Sequence, residues 1–532
     1  MTEDVPRWWQ SGLIYQIYPR SFQDSDGNGI GDLVGIRQRL DYLQDLGVDA
    51  IWLSPMFVSP MKDFGYDVAD YCAIDPRFGT MEDFEALLAD ARGRGIRIIL
   101  DLVPNHTSDQ HAWFREARSS RDNPKRDWYL WSDPAPNGGR PNNWLSEFGG
   151  PAWAFDAATD QYYYHAFLPE QPDLNWRNPD VRAAIYDVMR FWLGKGVGGF
   201  RVDVLWHLLK DDARRDNPAN PGWHEGMSPT QRLLPIYTTD LPDMQSIVRE
   251  MRAVVDEFDE RVLIGELYLP IERLVRYYGE ELDGAHLPFN FALIEAPWHA
   301  RELDRLIRDY EAAVPHGGWP NWVLGNHDKP RIAGRVGVRQ ARVAAMLLLT
   351  LRGTPTLYYG DEIGMPQATL SGVESRDPVE RNVPGFGLGR DGCRTPMQWD
   401  TSPNAGFTTG TPWLPIATDD PAVTVAGQAG YPGSMLALHK RLIDHRRRHP
   451  ALSVGGFHPL AADGDVLLYQ REHGGERFLV ALNLGPTEAD VGLETSVRAR
   501  VAIATEPQRE GETIAGTFTL GPDEGLVLEL LD

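Results

Sequence analysis

The 532-residue sequence has only two cysteines, Cys72 and Cys393, too few for a disulfide framework. Its longest apolar run, Val343–Leu351, is far shorter than a bilayer-spanning helix needs. The N-terminus also lacks the basic and apolar segments of a secretory signal. We therefore expect a cytoplasmic protein without a membrane partner.

The sequence is also short of basic residues and contains no run of them. Lys and Arg number 52 against 76 Asp and Glu, which gives a formal net charge of −24. A field of this sign repels phosphates, so we expect no nucleic-acid partner and favour a neutral or cationic small molecule. The aromatic share of 10 % suits stacking on sugar rings, although large cores also use aromatic residues.

Eight short apolar runs alternate with helix-length segments along most of the chain. This alternation predicts parallel strands joined by crossover helices, and eight repeats favour a closed (β/α)₈ barrel of the α/β class. The predicted strands are Gly12–Phe22, Val48–Pro55, Gly95–His106, Gly198–Trp206, Arg261–Tyr268, His286–Leu293, Asn321–Asp328 and Gly353–Glu362.

Two stretches interrupt this alternation. Residues 107–175 are rich in Trp, Pro, Asn, Gly and Tyr without a helical period, which predicts an inserted domain after the third strand. Residues 454–532 show short alternating strands, which predicts an antiparallel β-sandwich at the C-terminus. The barrel is then expected to comprise residues 1–106 and 176–453.

Polar residues end several of the predicted barrel strands. Arg201 and Asp203 share one face of the fourth strand, Glu266 ends the fifth, and His327 and Asp328 end the seventh. A barrel brings such strand ends to one mouth, where carboxylates can act on an acetal. The adjacent arginine favours an ionised Asp203 as nucleophile and leaves Glu266 as the better proton donor.

The motifs at these strand ends make the resemblance specific. "DLVPNH", "GFRVDV", "GELY" and "NHD" occur in this order at the strand ends. Two further motifs are "QPDLNW" at the end of the insertion, between the first two, and "RTPMQW" after the eighth strand. The chain resembles the α-amylase family (glycoside hydrolase family 13), in its α-glucosidase and oligo-1,6-glucosidase branch. The likeness spans nearly the whole chain and implies a barrel with an inserted domain B and a C-terminal β-domain.

The resemblance implies a role for each matching residue. Asp203 is the expected nucleophile, Glu266 the acid/base and Asp328 the stabiliser of the transition state, with Arg201 orienting Asp203. Phe148 and Phe167 are expected in the pocket wall, although packing in a core would explain them almost as well. The other expected substrate-binding residues are Asp63, Tyr66, His106, His327 and Arg394, and the resemblance implies that Arg394 lies beside Asp63.

"DSDGNGIGD" places oxygen ligands at alternate positions, with Gly29 at the sharp turn, which is the spacing of a calcium loop. Position twelve holds Gly35 instead of the usual Glu, so an isolated EF-hand is not expected. Members of the α-glucosidase branch that the chain resembles carry a structural Ca²⁺ or Mg²⁺ in a similar loop, and the resemblance implies such an ion here. The alternative is an Asx-rich turn without metal. No organic cofactor is expected. The expected ligands are Asp24, Asp26, Asn28, the Ile30 carbonyl and Asp32.

The leading hypothesis is a retaining, exo-acting α-glucosidase on short α-glucosides, with transglucosylation as an accompanying activity. Val204 after the nucleophile favours α-1,6 bonds in this branch, yet a single residue leaves the linkage open. The alternative is a sucrose isomerase or α-glucosyltransferase on the same scaffold. Sucrose isomerisation stays open because the loop after the eighth strand contains Arg376, Arg381 and Arg390. A non-catalytic interaction module is the hypothesis from another class. The oligomeric state, monomer or homodimer, stays open.

Overall fold

Eight parallel strands form the central barrel of the computed structural model, which describes residues 6–370, 375–493 and 497–531. Each strand lies within one of the eight predicted runs but is shorter than the run. The barrel strands, numbered one to eight below, are Ile14–Ile17, Ala50–Leu53, Arg97–Leu102, Gly199–Val202, Val262–Gly265, Leu287–Pro288, Asn321–Val323 and Thr354–Tyr358.

The strands pair in the order six, five, four, three, two, one, eight, seven. Within the described ranges, the sixth and seventh strands share no ladder. The Asn290 N–H instead donates to Asn321 Oδ1 at 3.0 Å, so a side chain bridges the two ends of the sheet. The predicted α/β barrel is thereby confirmed as a near-closed barrel.

Helices cover the outside of the barrel, and their ends follow local sequence signals. The longest, Pro179–Lys195, begins after the Asn178 cap with proline in its first turn and ends at Gly196 with φ +100°. The α-helices are Trp8–Ser11, Leu33–Gln38, Leu40–Leu46, Met81–Gly93, Ala112–Ser119, Pro179–Lys195, Met244–Val255, Ile271–Leu274, Ala292–Glu295, Ala300–Ala313, Ile332–Val336, Val338–Thr350, Pro378–Asn382, Val425–Gln428, Met435–Arg448 and Pro450–Ser453.

The barrel interior is a packed apolar core. Trp52, Ile99, Ile264 and Val323, from four different strands, are fully buried in one cluster inside it. Side chains of this size fill the small cross-section of an eight-stranded barrel, so the interior leaves no room for a ligand. A substrate therefore binds at an end of the barrel.

The stretch after the third strand forms its own small sheet. Trp131–Ser132, Gln161–Tyr164 and Trp153–Asp156 pair antiparallel in that spatial order. An isolated bridge between His106 and Asp173 joins the two points at which the chain leaves and re-enters the barrel. A short antiparallel pair, Phe57–Val58 with Asp70–Ile74, precedes this region after the second strand.

The C-terminal region is an antiparallel β-structure. Its main sheet has six strands in the spatial order Gly456–Asp463, Val466–His473, Glu476–Asn483, Gly525–Leu531, Arg498–Ala504 and Thr513–Ala515, and Ala489–Gly492 pairs with Thr517–Leu520 in a second sheet. Inward-facing apolar residues of both sheets share one core cluster. The residue boundaries assigned to the three domains from the sequence stay predictions.

Helices able to span a membrane are absent from the described ranges, because none is both long and apolar enough.

Candidate active site

Arg201 lies at the centre of the acidic groups that end the barrel strands. Its Nη1 donates to Asp101 Oδ1 and to Asp203 Oδ1, both at 2.7 Å. Its Nη2 lies 2.8 Å from Glu266 Oε2. Arg201 is fully buried and its guanidinium stands over the Trp52 ring at 4.8 Å. One cation therefore contacts three carboxylates, including two of the three predicted catalytic ones, Asp203 and Glu266.

Strand register brings these side chains together. Asp101 on the third strand is the register partner of Arg201 on the fourth, and Ile264 on the fifth strand is its partner on the other side. Glu266 lies two residues beyond Ile264, and Asp203 two residues beyond Arg201, so each pair shares a face. The polar groups predicted to converge at one mouth therefore do so.

Burial dominates the electrostatics of Asp203 and Glu266. Burial raises the pKa of Asp203 well above its usual value, Arg201 opposes the rise, and the carboxyl of Glu266 adds to it. Burial likewise raises the pKa of Glu266, again opposed by Arg201. Two neighbouring carboxyls of this kind titrate as a pair that holds one proton over a wide pH range. The sequence suggested that Arg201 favours the ionised form of Asp203 alone. In the structure Arg201 contacts both carboxyls and therefore favours the ionised form of either one.

Val204 adopts an unusual backbone conformation directly after Asp203. Its φ is +38° and its ψ +47°, in the left-handed region that β-branched residues rarely occupy. This turn aims the Val204 N–H at Glu266 Oε2, which accepts its hydrogen bond at 2.8 Å. The strained backbone at Val204 thus places a hydrogen-bond donor on the Glu266 carboxyl.

Asp328 is surrounded by groups that keep it ionised. Burial favours the neutral form, but the cations Arg394 and Arg390 outweigh it and hold the pKa of Asp328 well below its usual range. Arg394 Nη2 donates to Asp328 Oδ1 at 2.9 Å, and Arg390 Nη1 donates to the same oxygen at 3.4 Å. Asp328 is thus a fixed negative charge beside the Asp203–Glu266 pair.

His327 and Tyr66 form one stacked unit. Their rings are 5.4 Å apart and nearly parallel, and His327 Nε2 lies 2.7 Å from the Tyr66 hydroxyl. The Gln16 amide donates to His327 Nδ1 at 2.8 Å, and the Tyr66 hydroxyl donates to Asp101 Oδ2 at 3.0 Å. Burial holds the pKa of His327 well below its usual value, so the imidazole is neutral.

Arg390 closes one end of the pocket. Its Nη2 donates to Asp63 Oδ1 and to Asp377 Oδ1, both at 2.8 Å, and its guanidinium lies 5.0 Å from the Phe148 ring centroid. The sequence placed Arg394 beside Asp63. In the structure Arg390 holds that position, whereas Arg394 lies behind Asp328. Arg390 and Arg394 are separated by the turn Asp391–Cys393. Their side chains therefore extend to different carboxylates, Asp63 and Asp328 respectively.

The remaining predicted residues line the side of the pocket formed by the inserted domain. Phe148 and Phe167 pack edge to face at 5.4 Å, and Phe167 lies 5.2 Å from the His106 ring. His106 Nε2 lies 3.0 Å from the Tyr66 carbonyl oxygen, and burial lowers the pKa of His106 to about 4. The imidazole is therefore neutral at physiological pH, so it can donate and accept hydrogen bonds but supplies no positive charge.

Nine of the predicted catalytic and substrate-binding residues line a single pocket of about 460 Å³. Arg201 and Arg394 do not line it, because both are fully buried behind the carboxylates that they contact. The predicted residues that do line it are Asp63, Tyr66, His106, Phe148, Phe167, Asp203, Glu266, His327 and Asp328.

Sequence reasoning missed several residues of this site. Arg390 was considered only for sucrose isomerisation, although its position four residues before Arg394 signalled a second arginine on the same turn. Asp377 gave no signal, since its loop has no regular pattern. Trp206 and Tyr268, which follow the fourth and fifth strands, also line the pocket, with ring centroids 5.8 Å apart.

The Asp-rich loop forms a separate acidic cluster. Carboxylate oxygens of Asp24, Asp26 and Asp32 all lie within 4.8 Å of one another. Asp24 and Asp32 are buried and Asp26 is exposed, and none of the three lines the pocket. Asn28 Oδ1 accepts from the Ile30 N–H at 2.8 Å. Three carboxylates at this spacing fit the oxygen ligands that a hard divalent cation requires.

Close packing explains the glycine at the twelfth position of this loop. A Cβ on Gly35 would lie 2.0 Å from the Gln23 carbonyl oxygen, so no side chain fits there. Gly29 has φ +87°, as the predicted sharp turn requires. The loop is therefore built differently from an EF-hand, in which Glu at that position supplies a bidentate ligand.

Comparison with known proteins agrees with this geometry. The chain is 43 % identical over 500 residues to a probable alpha-glucosidase of Rhizobium meliloti, covering 91 % of this chain and 90 % of the relative. It is 39 % identical over 517 residues to an oligo-1,6-glucosidase of Halalkalibacterium halodurans, covering 90 % of each. A crystal structure of an alpha-glucosyl transfer enzyme matches with a TM-score of 0.92 and 38 % identity, covering 99 % of this chain and 100 % of that one.

The family comparison covers most of the barrel and the insertion. Residues 16–455 match the family described as "Alpha amylase, catalytic domain". The resemblance inferred from the strand-end motifs is thereby confirmed. On this match, and on relatives of about 40 % identity along nearly the whole length, the chain belongs to the α-amylase family of glycoside hydrolases.

Proposed function

We propose that this glycoside hydrolase is a retaining, exo-acting α-glucosidase that releases α-glucose from the non-reducing end of short α-glucosides. The observation that carries the proposal is the closed end of the pocket, where Arg390 joins Asp63 and Asp377. A substrate that meets this barrier can enter only by a chain end. Cleavage therefore removes one terminal glucose at a time.

The chemistry follows from two carboxyls that share a proton beside a buried arginine. Glu266 gives its proton to the glycosidic oxygen while Asp203 attacks the anomeric carbon, which releases the aglycone and forms a β-glucosyl ester. Glu266, now ionised, removes a proton from water, whose oxygen attacks the same carbon and releases Asp203. Two inversions give α-glucose.

The hydrogen bonds to Glu266 change along this reaction. The Val204 N–H and Arg201 favour its ionised form, which exists after the first proton transfer. Both donors are held by the fold before substrate arrives, so they stabilise charge as it develops without reorganising. Arg201 then serves whichever carboxyl is ionised, Asp203 before attack and Glu266 after it.

Binding of the terminal glucose is assigned to the deep end of the pocket. Asp328, held ionised by Arg394, would accept hydrogen bonds from sugar hydroxyls and stabilise an oxocarbenium-like transition state. Tyr66 offers its ring face for stacking, and His327 and His106 offer neutral imidazoles. Asp63, fixed by Arg390, would bind the hydroxyl farthest from the scissile bond.

Transfer to a sugar acceptor is the second candidate activity. The likeness to an alpha-glucosyl transfer enzyme favours it, since both reactions share the glucosyl ester and differ only in the group that attacks it. Sucrose isomerisation is the corresponding alternative when fructose is the acceptor. Val204 supports a preference for α-1,6 bonds.

The experiment that tests the proposal is product analysis with maltose, isomaltose, sucrose and trehalose. Proton NMR during the first minutes should detect α-glucose before mutarotation, and isomaltose should be the best of the four substrates. First-formed β-glucose would contradict retention. An isomeric disaccharide as the main product from sucrose would replace hydrolysis with isomerisation.

We also propose that the Asp24–Asp32 loop holds a structural Ca²⁺ or Mg²⁺. The clustered carboxylates of Asp24, Asp26 and Asp32 support it, with Asn28 and the Ile30 carbonyl as the further expected ligands. Such an ion would stabilise the loop and take no part in the reaction, because the loop does not line the pocket. Its effect on thermal unfolding is the appropriate measurement.

A cytoplasmic location belongs to the same proposal. Cys72 and Cys393 are both unpaired, as expected in a reducing compartment. Cell fractionation with an antibody to the chain would test it, and recovery outside the cell would contradict it.

A further inference from the structure

Glu147 stands on the wall of the catalytic pocket, on a turn of the inserted domain. Two hydrogen bonds fix this turn: Ser146 Oγ donates to the Phe167 carbonyl at 2.6 Å, and the Glu147 N–H donates to the Ala166 carbonyl at 2.8 Å. The position of the carboxyl-bearing residue is thus set by the fold before any ligand binds. Binding of a ligand therefore requires no ordering of this backbone turn.

Glu147 differs from the other carboxylates of the pocket by its lack of a partner. Within residues 6–370, 375–493 and 497–531, its side chain makes no hydrogen bond or ion pair, and the residue is exposed. Every other carboxylate in the pocket contacts a cation: Asp63 and Asp328 contact Arg390, Asp203 and Glu266 contact Arg201, and Glu295 contacts Lys329.

The surroundings of Glu147 favour a ligand that brings a hydrogen-bond donor or a positive charge. A carboxylate without a counter-charge gains from a hydrogen-bond donor or a cation placed beside it. A negatively charged ligand at the same place would instead be repelled.

The burial gradient along the pocket decides which part of the substrate meets Glu147. Asp63 at the closed end is 4 % exposed, and Glu266 at the scissile position is also 4 % exposed, whereas Glu147 is exposed. The terminal glucose occupies the buried end, as the proposed function requires. The exposed wall therefore faces the aglycone.

We propose that Glu147 is a specificity determinant of this α-glucosidase that selects aglycones by charge. It binds hydroxyl-bearing and cationic aglycones and rejects anionic ones, such as carboxylated or phosphorylated alcohols. The inference rests on the proposed exo-α-glucosidase function and adds the aglycone class to it. Glu147 would take no part in bond cleavage.

The test uses three α-glucosides that differ only at the end of a two-carbon aglycone: 2-aminoethyl, 2-hydroxyethyl and carboxymethyl. Their kcat/KM values are measured at pH 8, where the first is a cation, the third an anion and Glu147 is mostly ionised. Glu147→Gln should lower the amino-to-hydroxy ratio by about 5- to 20-fold and raise the carboxy-to-hydroxy ratio similarly, as expected for one charge at close range in a partly solvated site. The three aglycones differ in leaving-group ability, but this difference affects the kcat/KM ratios of variant and wild type equally and cancels when the two are compared.

Glu147→Lys should shift both ratios further and reverse the order of the charged substrates. Glu170→Gln is the matched control, because Glu170 also belongs to the inserted domain but does not line the catalytic pocket. It removes the same charge from the molecule and should leave both ratios unchanged. Circular dichroism and thermal unfolding would establish that each variant is folded.

Ratios within twofold of wild type in both folded Glu147 variants would overturn the assignment. Calorimetric binding of the three glycosides to the Asp203→Asn enzyme, with and without each Glu147 substitution, gives the same comparison without turnover. Failure to hydrolyse any α-glucoside would therefore overturn the proposed function separately, whereas unchanged charge ratios would overturn only the role of Glu147.

Discussion

The catalytic pocket and the Asp24–Asp32 loop both concentrate acidic side chains, but they stabilise these charges in different ways. In the pocket, Arg201 contacts carboxylates from three different strands. In the loop, Asp24 accepts from the N–H groups of Asp26, Gly27 and Gly29, all within five residues. The pocket thus depends on tertiary structure, whereas the loop largely satisfies its own carboxylates.

This difference has an energetic consequence. Buried ion pairs depend on each other, because loss of one partner leaves an uncompensated charge in a medium that solvates it poorly. Carboxylates held by nearby backbone donors and partly exposed to water lose much less when one group changes. The same substitution should therefore have unequal effects in the two regions.

The largest expected difference concerns Asp203. Asp203→Asn should reduce kcat on p-nitrophenyl α-glucoside by about 10⁴-fold or more, because the nucleophile is lost while binding remains. Asp26→Asn makes the same chemical change in the loop and should leave kcat within about twofold. Retention of more than a tenth of the activity by a folded Asp203→Asn enzyme would remove Asp203 as nucleophile.

The second comparison sets a buried arginine against an exposed one. Arg201→Met should lower the free energy of unfolding by about 3–5 kcal/mol, since it leaves three buried carboxylates without their cation. Arg190 forms an ion pair with Glu257 in which both side chains are more than 40 % exposed, so Arg190→Met should cost about 1 kcal/mol or less. Urea unfolding measures both values, and equal losses would contradict a greater dependence of stability on the buried ion pairs.

The smallest expected effect belongs to the loop. Calcium at about 100 times its Kd stabilises a protein by about 2.7 kcal/mol, which for a chain of this length is a rise in Tm of about 1–3 °C. Removal by EDTA should reverse the rise, and Asp26→Asn should weaken it. A wild-type Tm that responds to neither Ca²⁺ nor Mg²⁺ would identify the loop as an Asx-rich turn without metal.

The two regions also differ in how far sequence reasoning reached. The loop follows a local pattern of alternating Asp and Asn, and the structure brings Asp24, Asp26 and Asp32 together. In the pocket, strand-end position and motifs predicted Asp203, Glu266 and Asp328. They did not predict Arg390 at the closed end, because its contacts with Asp63 and Asp377 depend on the course of two irregular loops.

Local sequence determined the strand–helix alternation, the order of the polar strand ends and the sharp turn at Gly29, because each depends on residues within one element. Only the tertiary structure decided that Arg201 contacts three carboxylates and that Arg390 rather than Arg394 closes the pocket beside Asp63. It also decided that Glu147 faces the pocket without a partner among the described residues. These features arise where strands and loops distant in sequence meet. Strand register and loop packing set such contacts, and neither is encoded in the spacing of residues along a single element.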